Sequence, residues 1–385
     1  MTRIRMGMVG GGEGAFIGAV HRMAAALDSE IELVCGAFSS DPARSRRSGA
    51  ALCLPTDRVY DDYCAMMAAE AALPAAQRMQ FVAIVTPNHQ HFPVAEAALR
   101  AGFHVLSDKP ATLNLDQALR LREVLSETGL LYGLTHTYTG YPLVKEARAR
   151  VAAGELGNIR KIVVDYPQGW LADRQEDTGN KQAAWRLDPA QAGISSCMGD
   201  IGVHAANLAE YVTGLEISEI CSDLCAFVPG RTLDDDGTVL LRFDNGARGV
   251  LGASQISVGE ENALSLRVYG DKGGLEWRQQ DPNTLWLKWP DRPTEMLRAG
   301  GAYLGDLAAA NTRTPMGHPE GYLEAFANLY QAFAAHIRAR EAGQAPDERA
   351  SDCPGIESAI RGMAFIELAV AASASDVKWH PFVQY

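Results

Sequence analysis

The chain has no run of 18 apolar residues, the length at which a membrane-spanning helix is read from sequence. It has no basic run, and its net charge is −12, so it offers no phosphate-neutralising surface for nucleic acid. Neither membrane nor nucleic acid is expected as a partner. The sequence lacks any Cys-x-x-Cys pair. Its seven cysteines, at 35, 53, 64, 197, 221, 225 and 353, are odd in number and scattered. That pattern favours free thiols in a reducing cytoplasm. Cys221 and Cys225 are four apart but sit among strand-like residues, and no metal site is expected. Internal repeats and low-complexity linkers are missing too. The opening MTRIRMGMVGGG carries two arginines, yet its apolar run is short and broken by glycine. It reads as a first strand rather than a signal peptide.

What is present is ordinary globular material: 385 residues, 47% hydrophobic and 21% charged. That length suits two domains with sizeable cores. Residues 3–9 form an apolar strand, followed directly by GGGEGAFIGAVHRMAAAL. A strand, a glycine-rich turn and a helix together give the context that a dinucleotide fingerprint requires. Gly10 allows the tight turn, and Gly12 lets backbone approach a pyrophosphate at the positive helix end. The spacing ends on Ala15, with Gly18 the better third glycine if the turn is extended by three residues.

The second strand, 31–37, runs into Phe38-Ser39-Ser40-Asp41-Pro42, with Arg44 just beyond. An acidic residue often stands there to hold the ribose diol. Two hydroxyls and a guanidinium suit a 2′-phosphate better, a lean toward NADP over NAD. Ser40 or Asp41 also fits as a helix N-cap before Pro42. Strands at 81–87, 103–110 and 130–137 then alternate with helical patterns. This βαβ order predicts a doubly wound parallel sheet over 1–137. The strand ends carry Thr86-Pro87-Asn88, Asp108-Lys109-Pro110 and His136, where ligands of such sheets bind.

From 138 to 385 the character changes. A helix and a strand lead through a polar loop into SSCMGDIGVHAANLAEYVTG, residues 195–214. This reads as a helix opened by Ser195 or Ser196. Asp200 and His204, four apart, share one face, which Asn207 and Tyr211 continue. A carboxylate beside an imidazole can hold its tautomer and tune its proton affinity. Gly199 and Gly202 each weaken a helix by about 1 kcal/mol relative to Ala, which points to something bulky approaching the backbone. Successive strands from 219 to 289, with Asn-Gly and Gly-Gly turns, predict an antiparallel meander. Helices at 320–342 and 355–374 close the chain, the last one able to pack back on the first domain. Helices can cover only one face of that sheet, and the alternating apolar residues Val239, Leu241 and Phe243, with Val250 and Leu264 nearby, are expected to include a set on the open face. A dimer or tetramer through that face is expected.

The ordered set GGG…IGxxH, TPNxxH, DKP, WR and GDIGVH resembles the glucose–fructose oxidoreductase/inositol dehydrogenase (Gfo/Idh/MocA) family over nearly the whole chain. The resemblance implies an N-terminal Rossmann domain and a C-terminal α+β domain with a large, open, mainly antiparallel sheet. It implies an NAD- or NADP-dependent oxidoreductase acting on sugars, cyclitols or their derivatives. Lys109, Asp200 and His204 then fall on the family's catalytic positions, with Asp108 in place of the usual Glu. Cofactor contacts are implied at Gly10, Gly12, Gly14, Phe16, Ile17, Ser39, Ser40, Arg44, Thr86, Pro87, Asn88, His91, Asp108, Lys109, Trp185 and Arg186. The substrate is expected at His136, Tyr138 and Tyr141 together with the catalytic three. The loop EGAF at 13–16 and the segment THTYTGYP depart from the common pattern and leave the substrate open. In the implied chemistry His204 takes a hydroxyl proton, Lys109 stabilises the alkoxide and Asp200 orients His204. Two rival classes stay open: a glycosidase or lyase of this fold using transient oxidation, and a non-catalytic cofactor sensor.

Overall fold

The computed structural model describes residues 2–347 and 351–385. The chain divides into two compact units, Met1–Thr137 with Tyr322–Ala359, and Tyr138–Gly321 with Ile360–Tyr385.

In the first unit, five parallel strands, β1 (Ile4–Gly10), β2 (Ile31–Ala37), β3 (Phe81–Val85), β4 (His104–Ser107) and β5 (Tyr132–Leu134), form one sheet in the order β2-β1-β3-β4-β5. β3 and β4 are buried along their whole length, as central strands covered on both faces must be. The helices between them are α1 (Phe16–Leu27), α2 (Pro42–Ala51), α3 (Tyr63–Ala72), α4 (His91–Arg100) and α5 (Leu115–Thr128). Their starts are chemically marked. Asp41 accepts from the Ala43 amide at 2.9 Å with Pro42 behind it, and Asn114 accepts from the Gln117 amide at 3.0 Å. Order reverses between β1 and β3, so the C-terminal ends of those strands define a switch point.

The cover of one sheet face arrives late in the chain. Helix α11 (Tyr322–Glu341) lays Phe326, Tyr330 and Phe333 against α1 and β3. The second unit is thus interrupted in sequence, because 322–359 belongs with the first.

The second unit is built on nine strands in the order β13-β12-β11-β10-β6-β9-β8-β7-β14. They are β6 (Ile159–Pro167), β7 (Ile217–Cys225), β8 (Asp236–Phe243), β9 (Arg248–Ser254), β10 (Ser265–Gly270), β11 (Gly274–Arg278), β12 (Thr284–Lys288), β13 (Glu295–Arg298) and β14 (His380–Pro381). β6 and β9 run parallel, and the other pairs are antiparallel. Helices α6 (Pro142–Ala152), α7 (Lys181–Arg186), α8 (Pro189–Ala192), α9 (Val203–Thr213), α10 (Asp306–Ala310) and α12 (Ile356–Ser373) complete the set with α11.

Strand alternation in this sheet corrects one sequence expectation. Val239, Leu241, Phe243 and Leu264 are buried, while Leu240 and Val250 turn to the opposite, open side. On that side Leu240, Trp286 and Met296 stay 39%, 38% and 49% exposed. They alternate there with charged pairs such as Asp165–Arg267, so the open face is mixed rather than purely apolar.

Candidate active site

The glycine-rich turn follows β1 at the switch point. Gly10 has φ +83°, and a Cβ there would lie 2.8 Å from the Val85 carbonyl oxygen. Only glycine meets both demands at low cost. A Cβ on Gly12 would lie 2.7 Å from the Phe38 carbonyl oxygen and 2.9 Å from Ser48 Oγ. Gly18 crosses Gly11 so closely that its Cβ would fall 2.3 Å from Gly11 Cα. Gly18 is therefore the packing glycine, and Ala15 opens α1. Among the described residues no side chain caps that end of α1, and no atom beyond Gly14 and its own chain neighbours comes within 4 Å of its Cβ position. Phe16 is exposed. Uncapped amides at a helix start, beside open backbone, fit a dinucleotide's pyrophosphate.

At the end of β2, Phe38 is buried and its ring covers Gly36. Ser39 Oγ accepts from the Asp41 amide, and the Asp41 carboxylate is engaged as the α2 cap. The chain there offers Ser40 and Arg44 beside the Asp41 cap, whose Oδ1 takes both cap amides.

Beyond β3, Thr86 Oγ1 is buried without a hydrogen-bond partner among the described residues. Buried hydroxyls are normally satisfied, so this one also fits a group that binds there. Asn88 is buried in a short turn, Asn88–Gln90, after Pro87. His91, at the start of α4, ties two loops together. Its Nδ1 lies 2.6 Å from the Pro110 carbonyl oxygen and its Nε2 lies 2.8 Å from that of Thr86. Burial holds its pKa down. With one ring nitrogen against each carbonyl oxygen, His91 ties the Thr86 and Pro110 loops together.

Asp108 braces the Lys109 loop in the same way. Its Oδ1 accepts from the Lys109 amide at 2.9 Å and from Thr135 Oγ1 at 3.0 Å. Its Oδ2 lies 4.0 Å from Nε2 of His21 on α1, whose Nδ1 is 2.8 Å from the Tyr330 hydroxyl. Burial pushes His21 down to about 4 and His136 down to about 3, with the Lys109 charge acting in the same direction on His136. Both imidazoles are neutral at pH 7. The first unit therefore gathers Thr86, His91, Asp108, Lys109 and His136 at its strand ends.

The second unit gathers the rest. Ser195 starts the 195–214 element, its Oγ accepting from the Gly199 amide at 3.0 Å. The buried Asp234 carboxylate takes the Ser196 and Met198 amides at 3.0 and 2.8 Å. A carboxylate at a helix start also complements the positive end of the helix dipole. The first turn, Met198–Gly202, is a π turn and α9 begins only at Val203. This differs from the regular helix expected from sequence. A π turn widens one turn of the ladder and is common where side chains serve function. Gly202 makes room for Met198, whose Sδ would lie 2.5 Å from its Cβ, while Gly199 has only Ser195 near, at 3.9 Å. The expected bulky neighbour is thus Met198 at one glycine and absent from the described chain at the other.

Asp200 sits on that π turn. Its Oδ2 accepts from Arg186 Nε at 3.2 Å and from Gln255 Nε2 at 2.9 Å. Arg186 also stacks on Trp185, with 4.3 Å from guanidinium carbon to ring centroid. The Trp-Arg pair, expected at the cofactor, is thus joined within its own unit to Asp200. His204 is buried, and the Tyr138 ring meets its imidazole edge-on, centroids 4.8 Å apart at 81°. Tyr166 lies 6.4 Å from it. Tyr141 stacks on Tyr138 and leans on Trp277, deep in the unit. Further along the stripe, Tyr211 carries the Lys145 ammonium and the Arg148 guanidinium over its ring.

Sequence reading missed Gln255, Tyr166, Asn262, Gln168 and Trp170. Each reaches the site through a contact spanning tens of residues or through its neighbours, and none stands in a motif.

Comparisons with known proteins agree with this architecture. Residues 4–136 match the model of an oxidoreductase family with an NAD-binding Rossmann fold, and residues 144–276 match the GFO/IDH/MocA C-terminal domain. The uncharacterized oxidoreductase YfiI of Bacillus subtilis is 31% identical over 98% of this chain and 97% of its own. An inositol dehydrogenase homolog from Azotobacter vinelandii, solved with NADH and myo-inositol, superposes with TM-score 0.91 at 34% identity, covering 99% of this chain and 98% of that one. Levoglucosan dehydrogenase of Pseudarthrobacter phenanthrenivorans is 25% identical over 74% of this chain and 76% of its own. Domain models, chain-length similarity and the two-sheet architecture converge: the chain belongs to the Gfo/Idh/MocA family of oxidoreductases, with an NAD-binding Rossmann domain.

Proposed function

We propose that this oxidoreductase moves a hydride between a nicotinamide cofactor and a hydroxyl-bearing carbon of a sugar, sugar derivative or cyclitol. The observation that carries the reading is the His204 imidazole, buried at the start of α9 and fixed edge-on by Tyr138, one turn beyond the Arg186-bound Asp200. When bound, the nicotinamide accepts or delivers the hydride. His204 takes the proton of the substrate hydroxyl as general base. The Lys109 ammonium stabilises the developing alkoxide, and Asp108 holds the Lys109 loop through its amide. Asp200 orients His204. Gly10, Gly12, Gly14, Phe16 and Ile17 receive the dinucleotide, with Thr86, Pro87 and Asn88 beside it. His136, Tyr138 and Tyr141 line the substrate side.

Support for a sugar or cyclitol comes from the relatives named for inositol and levoglucosan. For the cofactor, the Asp41 carboxylate is engaged as a helix cap and Arg44 stands close by, which favours NADP at least as well as NAD. Arg44→Ala is then expected to weaken NADP and spare NAD; tighter NAD binding with no Arg44 effect contradicts it. Seven cysteines, none of them in a disulfide among the described residues, support a reducing cytoplasm. The open sheet face with Leu240, Trp286 and Met296 supports a homodimer or homotetramer, and a monomer at micromolar concentration in sedimentation contradicts that.

The test is purified protein with NAD or NADP against a panel of sugars, anhydro sugars and cyclitols, followed at the nicotinamide absorbance. Net cofactor reduction with one class supports the reading. Hydrolysis or elimination without net reduction sinks it.

A further inference from the structure

The Tyr138 hydroxyl belongs to a hydrogen-bond network whose proton directions can be worked out from one fixed point. An indole N–H can only donate. Trp170 Nε1 donates to Gln168 Oε1 at 3.0 Å. That fixes the Gln168 amide, so its Nε2 faces Asn262 Oδ1, 2.7 Å away. Asn262 is fixed in turn, with Oδ1 toward Gln168 and Nδ2 donating to the Tyr138 hydroxyl at 3.2 Å.

Tyr166 donates its hydroxyl proton to the same Asn262 Oδ1 at 2.7 Å. An amide oxygen only accepts, so that proton is committed. Tyr138 and Tyr166 hydroxyls also touch, and the proton in that contact must be Tyr138's. Three groups thus close a ring. Tyr138 donates to Tyr166, Tyr166 to Asn262, and Asn262 back to Tyr138. Closed rings of this kind strengthen each member and fix one geometry.

Tyr138 has no spare proton for a substrate, and burial pushes its pKa up to about 12. It is no acid–base group at neutral pH. Its ring, however, is the edge that meets His204 at 4.8 Å. The backbone around Asn262 is held without its side chain: the Ala263 amide donates to the Pro167 carbonyl at 3.2 Å, and the Gly169 amide to that of Glu260 at 2.9 Å.

We propose that Asn262 is a positioning residue for His204: through the closed ring with Tyr166 it fixes the Tyr138 side chain, and Tyr138 fixes the imidazole. This rests on the reading of His204 as the base and extends it to a residue 58 positions away (262 − 204).

The test uses Asn262→Asp, which keeps both acceptor contacts but replaces the N–H toward Tyr138 by a charged carboxylate oxygen, and Tyr166→Phe, which breaks the ring without adding charge. In the cofactor-free protein, the His204 ring resonances, assigned by their loss in His204→Ala, are expected as one sharp set. Both variants should broaden or split them while leaving the melting curve in place. Unchanged His204 resonances overturn the proposal. With NAD and myo-inositol as probes, Asn262→Asp should lower kcat by about tenfold to a hundredfold with KM little changed, the usual cost of a small misplacement. In a His204→Ala background the same change should cost almost nothing, because it acts through that ring. Equal losses in both backgrounds overturn it. Full turnover in His204→Ala alone refutes the general-base reading instead, and the resonances then judge Asn262 by themselves.

Discussion

The Arg186 guanidinium holds the Asp200 carboxylate, Nε to Oδ2 at 3.2 Å, and Gln255 reaches the same oxygen at 2.9 Å. Arg186 is braced by Trp185 and by Gln182, whose Oε1 accepts from Nη1 at 2.8 Å. A guanidinium so placed offsets part of the negative charge that Asp200 presents to its surroundings. Arg186→Met should therefore leave Asp200 more strongly anionic toward an imidazolium one turn away. On the proposed reading of His204 as the base, the acid limb of kcat/KM then moves up. Asp200→Asn should move that limb down. A limb unmoved in Arg186→Met, with weaker dinucleotide binding instead, makes Arg186 a cofactor residue.

The turn after β1 gives a second test. A Cβ on Gly12 would strike the Phe38 carbonyl oxygen and Ser48 Oγ, so even a small side chain must push the two loops apart. Gly12→Val should abolish NAD and NADP binding in titration calorimetry while the second unit stays folded. Unchanged affinity contradicts the placement of the pyrophosphate at this turn.

Much of this is legible in the sequence. The five parallel strands follow from apolar runs separated by helical periods, and the Asp41-Pro42 start of α2 from capping chemistry. Asp200 and His204 stood out because four residues make one helical turn. The π turn beneath Asp200 was not legible, because glycine spacing gives no sign of an extra residue in a turn. The partners of Asp200 were hidden for another reason. Gln255 and Arg186 arrive from a strand end and a short helix 55 residues and 14 residues away, and no periodicity links them. The same holds for α11, whose Tyr330 meets His21 across 309 residues.

Acid stability of the first unit follows from its buried histidines. His21 and His104 are pushed down to about 4, both chiefly by burial, and His136 to about 3. Unfolded, each returns to about 6.5. Between those values the unfolded chain binds more protons, so stability rises with pH. The contribution is intact above pH 6.5 and is lost as pH falls toward 4. The melting temperature should drop steeply over that window. His104→Gln should flatten the drop, since Gln can still accept from the Leu131 amide that His104 Nδ1 binds at 3.1 Å. A flat profile between pH 7 and pH 5 contradicts neutral burial of these rings.

His204 is the proposed acceptor of the substrate hydroxyl proton. The direct measurement is turnover of His204→Ala with the sugar or cyclitol that the panel identifies, alongside dinucleotide affinity. Loss of general-base catalysis costs about a hundredfold to ten-thousandfold in rate. Turnover is expected to fall by that amount, the near-neutral limb of the pH–rate profile to vanish, and cofactor affinity to stay within about twofold, a change small beside that loss. Turnover held above about a tenth of wild type, far short of that loss, contradicts the claim and makes the helix a structural element.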